Sequence, residues 1–509
     1  LRLLQRFLQS ADAEERTVLP KHNQHRAPIC DAIQEFRRNK ITTFTSPGHK
    51  AGQAVSADMA KIISRDAYRW DLSMLNGVDD RLESKDIQGQ AEDLAAQLYG
   101  ADSSFFSTNG SSLSVHVALC VVGSPGSEVV VARNAHKSLT AGLIFTGQKP
   151  VFVYPEYDEE LDLVHGIDAD DLDSVLKRHK KASGVVVVNP DYYGFATDVR
   201  KLARVVHAHD KPLVVDEAWG VLFPFHPEFP EDALTSAADF VFGSFHKVLA
   251  SIQQSSIVHI KGRRIAEDRV RAAMDLFETS SASSLLLGSI DAARREMALR
   301  GKERWEQAIR IAESVVEQIN AIAGITVITP EAAKQRRTVA GFDPTKIVID
   351  VSNLGVTGFE ASDWLRENEK IAMELADYRR ILGIISLADT DSTARRLVRG
   401  IKAMARWASS RRKRTNTDAL PRLRELKSEM AMTPRDAFFA DAEMVKIDDA
   451  PGRIAAELAS PYPPGIPLML PGEVITETMV RYLKEGKRLG MLIADVSDQK
   501  LKKLRVVRK

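Results

Sequence analysis

The sequence predicts an α/β protein built on a mainly parallel sheet, and three observations carry that expectation. From Asp86 to Ala250, short β-branched runs alternate with amphipathic segments, the pattern of βαβ units. A hydrophobic fraction of 44% against a charged fraction of 27% provides ample apolar surface for a core. The length, 509 residues, exceeds what one core ordinarily organises, so several domains are expected.

The expected strands are Glu128–Ala132, Val151–Tyr154, Val185–Asn189, Leu213–Asp216 and Phe240–Gly243. Between them, Ser111–Val122, Ala135–Gly147, Ala169–Lys180 and Val199–His209 repeat apolar residues at helical spacing, which puts helices on both faces of the sheet. A long charged helical pattern runs from Asp291 to about Ile322, after which GITVIT and KIVIDV return to strand-like runs; a second, smaller α/β domain is expected there. The basic, polar stretch Ser409–Thr417 interrupts the pattern before a proline-rich C-terminal region. The expected division is an N-terminal arm over residues 1–45, a large domain over 46–300, a small α/β domain over 301–415 and a C-terminal α+β domain over 416–509.

Lys and Arg number 70 against 69 Asp and Glu, so the chain as a whole has no electrostatic bias towards nucleic acid or anionic membrane. The cluster Arg411, Arg412, Lys413 and Arg414 reads as a solvated linker face. Cys30 and Cys120 are the only cysteines; neither stands in a CxxC pair or beside histidines at metal-ligand spacing, so no metal and a reducing, cytoplasmic setting are expected. The apolar stretches fall short of the roughly 18 residues of a membrane span. No signal-peptide pattern opens the sequence.

The most informative segment is GSFHKVLASIQQSS, Gly243 to Ser256, directly after the strand at Phe240–Phe242. Lys247 stands just beyond that strand's carboxyl end, where open α/β sheets bind ligands. In VVDEAWG, Val214 to Gly220, Asp216 ends a second strand on the same crevice, where a carboxylate can hold a protonated ring nitrogen. STNGSSLSVHVAL, Ser107 to Leu119, feeds a polar turn into a helix whose free amides, with the hydroxyls of Ser111 and Ser112, form a natural phosphate cradle. Ser244 and His246 offer two further donors to the same anion. In RNAHKSLTAGLI, Arg133 to Ile144, His136 follows another strand end, placed to lie flat on a bound ring. Singly, each piece has a plain structural reading: surface lysine, helix cap or satisfied histidine. Their convergence on neighbouring strand ends makes them a site.

With these pieces in place, the chain resembles the Orn/Lys/Arg decarboxylase family. SPGHKAG (Ser46–Gly52), NPDYYG (Asn189–Gly194) and YPPGIPLMLPGE (Tyr462–Glu473) resemble family signatures in the right order. The resemblance implies an aspartate-aminotransferase-like fold and pyridoxal phosphate as cofactor. It implies that Lys247 carries the cofactor as a Schiff base, Asp216 pairs with the pyridine nitrogen and His136 stacks on the ring. Ser111, Ser112, Ser244 and His246 would hold the phosphate. The implied reaction is decarboxylation of arginine, lysine or ornithine, with an acidic partner for the substrate's basic end among Glu473, Asp79 and Asp80. The resemblance is to the short form without the large N-terminal wing domain, and a homodimer is expected.

Ser281, Ala282, Ser283 and Ser284 replace the Ser-Pro-Ser-aromatic pattern of many members, in a loop that in this fold usually reaches the partner subunit's active site. An aminotransferase or lyase on the same scaffold, or a non-catalytic relative serving as a regulatory subunit, shares the cofactor motifs. The decarboxylase-type C-terminal region disfavours the first and the intact SFHK and DEAW pieces disfavour the second.

Overall fold

The computed structural model describes residues 23–74, 78–79, 86–411, 420–462 and 465–509. Its centre is a seven-stranded sheet of β1 (Ser103–Ser107), β2 (Glu128–Ala132), β3 (Lys149–Val153), β4 (Val185–Val188), β5 (Leu213–Asp216), β6 (Phe240–Ser244) and β7 (Ser256–Ile260), in the order β1-β7-β6-β5-β4-β2-β3. Strands β3, β2, β4, β5 and β6 pair in parallel, whereas β7 is antiparallel to both β6 and β1. The expected parallel core is present. The two strands at the β1 edge were not expected from the sequence, because SSFFS has only two apolar residues and SIVHI follows the lysine loop without an intervening helix.

Helices α1 (Pro28–Arg38), α2 (Ile87–Tyr99), α3 (Gly110–Val122), α4 (Lys137–Thr146), α5 (Ala169–Arg178) and α6 (Val199–Ala208) flank this sheet, and the single turn α7 (Phe245–Val248) follows β6. Side chains alternate between the faces of a strand, and the core divides accordingly. Val129, Val131, Val186, Val214 and Phe242 pack with Leu113, Leu119, Leu139 and Leu143 of α3 and α4. On the other face Val130, Ala132, Val185, Val187 and Val215 pack with residues of α1, α2, α5, α6 and the 37-residue α8 (Ser284–Asn320). Helix α8 starts seven residues before the expected Asp291, because LLLGSI supplies apolar residues to the same core, and it runs unbroken through position 300.

Beyond α8, β8 (Thr326–Val327), β9 (Lys346–Asp350), β10 (Leu375–Ala376) and β11 (Arg380–Ile384) form an antiparallel sheet in the order β8-β9-β11-β10, backed by α9 (Asp391–Ser409). The last segment pairs β12 (Ala442–Lys446) with β13 (Lys503–Val507) and has its own apolar cluster around Met469, Met479, Leu483 and Leu504. Among the described residues, no helix is long and apolar enough to cross a membrane. Arg411 packs over Trp407 and pairs with Glu360, while Arg412, Lys413 and Arg414 lie outside the described residues.

Candidate active site

Because β2, β4, β5 and β6 run in parallel, their carboxyl ends share one edge of the sheet. The antiparallel β7 between β6 and β1 turns β1 the same way, so Ser107 and the start of α3 also reach that edge. Asp216 is the last residue of β5, Lys247 lies in the turn after β6, and His136 caps α4 after β2. This sharing of one edge explains why residues far apart in sequence meet.

Lys247 Nζ lies 4.5 Å from the centroid of the Trp219 ring. Burial of the amine lowers its proton affinity, and the Asp216 and Glu374 charges oppose that effect. Asp216 is 9% exposed and accepts one hydrogen bond, from the Ala218 amide at 3.1 Å. Desolvation raises its pKa to about 6, against the pull of Lys247. His136 is held neutral, its pKa pushed down to about 4 by burial and then by the Lys247 and Lys137 charges. Its Nδ1 is 2.9 Å from the Ser138 hydroxyl. The C-terminal segment closes over it: the Lys137 amide donates to the Gly465 carbonyl at 3.1 Å, and the Lys137 ammonium pairs with Asp495 at 2.7 Å.

Hydroxyls cluster at the start of α3. Ser111 Oγ is 2.7 Å from Ser244 Oγ and 3.1 Å from Ser256 Oγ, which is itself 3.1 Å from Ser114 Oγ. Gly110 turns the chain into the helix with φ +70°, and no atom lies within 4 Å of where a Cβ would project. Ser112 is exposed at the same helix start. The His246 Nδ1 faces the Ser255 carbonyl at 2.8 Å, and burial lowers its pKa.

The three carboxylates expected near a substrate's basic end fare differently. Glu473 is fully buried, and Arg133 and the Leu470 amide occupy both its oxygens at 2.9–3.2 Å. A carboxylate has about four lone-pair sites and these bonds use them; in the structure Glu473 is the counter-ion of Arg133. Arg133 also donates to the Pro467 and Leu468 carbonyls at 2.7 and 3.0 Å, tying β2 to the LPGE segment. Arg133→Ala strands a buried charge and is expected to cost about 3–5 kcal/mol of stability in denaturant unfolding. Asp79 is buried, accepts from the Gln88 amide, and lines a cavity of about 610 Å³ with Asp71, Glu278 and the Ser281–Ser283 loop. Asp80 lies outside the described residues.

Three residues of this region were not expected from the sequence. Trp219 lies three positions after Asp216, and its ring sits beneath Lys247. Ser256, at the start of the unexpected β7, joins the hydroxyl cluster. Lys346, the first residue of β9, is 1% exposed and reaches the other sheet system's Trp219. The available signal for it was a lysine opening the strand-like run KIVIDV. Among the described residues, no group of three His, Cys, Asp or Glu side chains is arranged to hold a metal ion.

Comparison with known proteins decides what this edge belongs to. The profile of the Orn/Lys/Arg decarboxylase major domain matches residues 27–393, and that of the family's C-terminal domain matches residues 417–491. The chain belongs to the Orn/Lys/Arg decarboxylase family. It is 36% identical over 487 residues to an arginine decarboxylase of Bacillus subtilis, covering 96% of this chain and 99% of the relative. It is also 36% identical to an arginine decarboxylase of Halalkalibacterium halodurans, over 95% of this chain and 98% of that one. In fold, the decarboxylase is similar to the lysine decarboxylase of Francisella novicida, with a TM-score of 0.79 at 21% identity over 94% of this chain and 80% of that one. It is thus a carboxy-lyase of basic amino acids that depends on pyridoxal phosphate.

The residues at the strand ends fit that cofactor. Asp216 is a buried carboxylate with no side-chain hydrogen-bond partner among the described residues, which suits a protonated ring nitrogen. The neutral His136 suits stacking on a cationic ring, since a charged imidazole would repel it. The open turn at Gly110 with the Ser111 and Ser244 hydroxyls suits a phosphate.

Proposed function

We propose that the decarboxylase removes the α-carboxylate of arginine, releasing carbon dioxide and agmatine, with Lys247 as the residue that carries the cofactor. The observation behind the site assignment is the pairing of a desolvated amine with a desolvated carboxylate at adjacent parallel strand ends. The choice of arginine is supported by the two 36%-identical relatives, both arginine decarboxylases over nearly their full length.

When bound, pyridoxal phosphate supplies an electron sink next to the substrate's α-carbon. Asp216 would hold the ring nitrogen in its protonated form, and its burial would make that effective because little water screens the charge. His136, neutral, would support the ring without competing for positive charge. Ser111, Ser112, Ser244, His246 and the amides at the start of α3 hold the phosphate. Lys247 would hold the cofactor's carbonyl carbon, and its place in the crevice beside His136 would let it carry a proton. We further assign residues 46–300 to a cofactor domain, 301–415 to a small domain and 416–509 to a C-terminal domain that covers the site, with residues 1–45 as an arm. The chain is proposed to work as a cytoplasmic homodimer in which the Ser281–Ser284 loop approaches the partner's site.

The test is to incubate the cofactor-loaded protein separately with arginine, lysine and ornithine, following carbon dioxide and amine together. Stoichiometric agmatine from arginine, well above diamine from the other two, is the expected result. A preference for lysine or ornithine overturns the substrate, and amine-free conversion to an oxo acid overturns the reaction.

A further inference from the structure

The NPDYYG loop and the start of β9 build a second buried cationic site behind Lys247. Lys346 Nζ lies 3.3 Å from the centroid of the same Trp219 ring that lies 4.5 Å from Lys247 Nζ. One ring under two amines puts them within roughly 8 Å of each other, close enough for unit charges to interact strongly in a dry interior. The surrounding structure is arranged to seat Lys346. Gly194, at φ +100°, leaves room for its stem, since a Cβ there would stand 2.9 Å from Lys346 Cγ. Asp191 Oδ1 is fixed by the amides of Tyr193, Gly194 and Phe195 at 2.9 Å each, and Asp343 Oδ1 by the amide and hydroxyl of Thr345.

A lysine serving only to join these loops would donate hydrogen bonds to the two aspartates. Among the described residues Lys346 Nζ makes none: it is buried without a hydrogen-bond partner there, as are Asp191 Oδ2 and Asp343 Oδ2. The fields of Asp343, of Glu374 and, more weakly, of Asp191 favour its charged form, while its head is directed at the Trp219 ring, a cation–π contact.

We propose that Lys346 is a positioning residue for the decarboxylase, whose buried charge, seated on the shared Trp219 ring, keeps Lys247 an uncharged amine. Only the neutral amine has the lone pair that a carbonyl carbon requires, and a second cation beside a desolvated lysine is one way to secure it. The charges facing Lys346 are Asp343, Glu374 and Asp191, which favour its ammonium, and Lys247, which opposes it; burial brings its pKa down to about 8. Those facing Lys247 are Asp216 and Glu374, with His136 and His246 held neutral. The two amines repel across the shared ring, and because the interaction is reciprocal, a charge on Lys346 opposes one on Lys247 as the Lys247 charge opposes that of Lys346. The sign follows: like charge disfavours the ammonium of Lys247, and removing Lys346 favours it.

This inference rests on Lys247 being the cofactor lysine. It is tested in the full chain stripped of cofactor, by competitive labelling of amines with acetic anhydride across pH and mass spectrometry of the Lys247 peptide. Lys346→Met is expected to move the Lys247 labelling midpoint up by about one pH unit, and to slow rebinding of the cofactor at pH 7.5 by up to about tenfold. Lys346→Arg, which keeps the charge, is expected to stay within a few tenths of a unit of the wild type. If Lys346→Met does not fold, the double change Lys346→Met with Asp343→Asn removes the stranded carboxylate as well and is expected to give the same upward shift. An unchanged or lowered midpoint in the folded variant overturns the inference. A cofactor bound elsewhere in the wild type overturns the assignment of Lys247 instead, and the labelling result separates the two.

Discussion

Lys247→Ala is expected to abolish amine and carbon dioxide release, by on the order of 10⁵-fold, the scale on which removing a covalent catalytic group acts. The loss has a specific cause. The amine is desolvated over Trp219 and makes no hydrogen bond among the described residues, so it contributes little to the fold. Its removal should therefore leave the thermal midpoint of the cofactor-free chain unchanged or slightly raised. It should also remove the visible absorbance of the lysine-bound cofactor. A variant that loses activity together with its fold would show instead that Lys247 is structural.

Asp216→Asn is expected to separate stability from activity in opposite directions. In the cofactor-free chain burial raises the carboxyl from 3.8 to about 6, so the unfolded chain ionises more readily than the folded one. That penalty is absent below about pH 4, grows as pH rises, and is complete above about pH 6, where it amounts to roughly 3 kcal/mol. The neutral amide escapes it, and the cofactor-free variant should be more stable than wild type at pH 8 and no more stable at pH 3.5. Activity should fall by on the order of 10²–10³-fold, because the ring nitrogen loses its anionic partner. In the wild type the same group predicts that cofactor affinity weakens below about pH 6, as the carboxylate takes up its proton. Thermal melts of the stripped chain at the two pH values, turnover of the loaded chain, and titration of the stripped wild type with pyridoxal phosphate above and below pH 6 check the three statements.

Most of this site was legible before the fold was known, for a local reason. Asp216 ends an apolar run and Lys247 follows one by a few residues, and in a parallel sheet a run's carboxyl end is already a position in space. Ser111 and His136 were legible in the same way, one at a helix start and one after a strand. What escaped depends on contacts between distant segments. Nothing in SSFFS or SIVHI identifies an edge strand until each finds its antiparallel partner. Glu473 was a candidate for the substrate's basic end because its counter-ion, Arg133, stands 340 positions away. Lys346 drew no attention within KIVIDV, because only the folded chain brings it to Trp219. The Ser281–Ser284 loop shows the same limit. Its Ser284 hydroxyl donates to the Trp70 carbonyl and accepts from the Leu72 amide, which anchors the loop to the SPGHKAG-side segment.

The most direct test of the central claim is to reduce the cofactor-loaded protein with borohydride, digest it and locate the phosphopyridoxyl group by mass spectrometry. One label is expected, on the peptide carrying Lys247. Labelling of Lys346, its neighbour across the Trp219 ring, or of neither lysine, would contradict it.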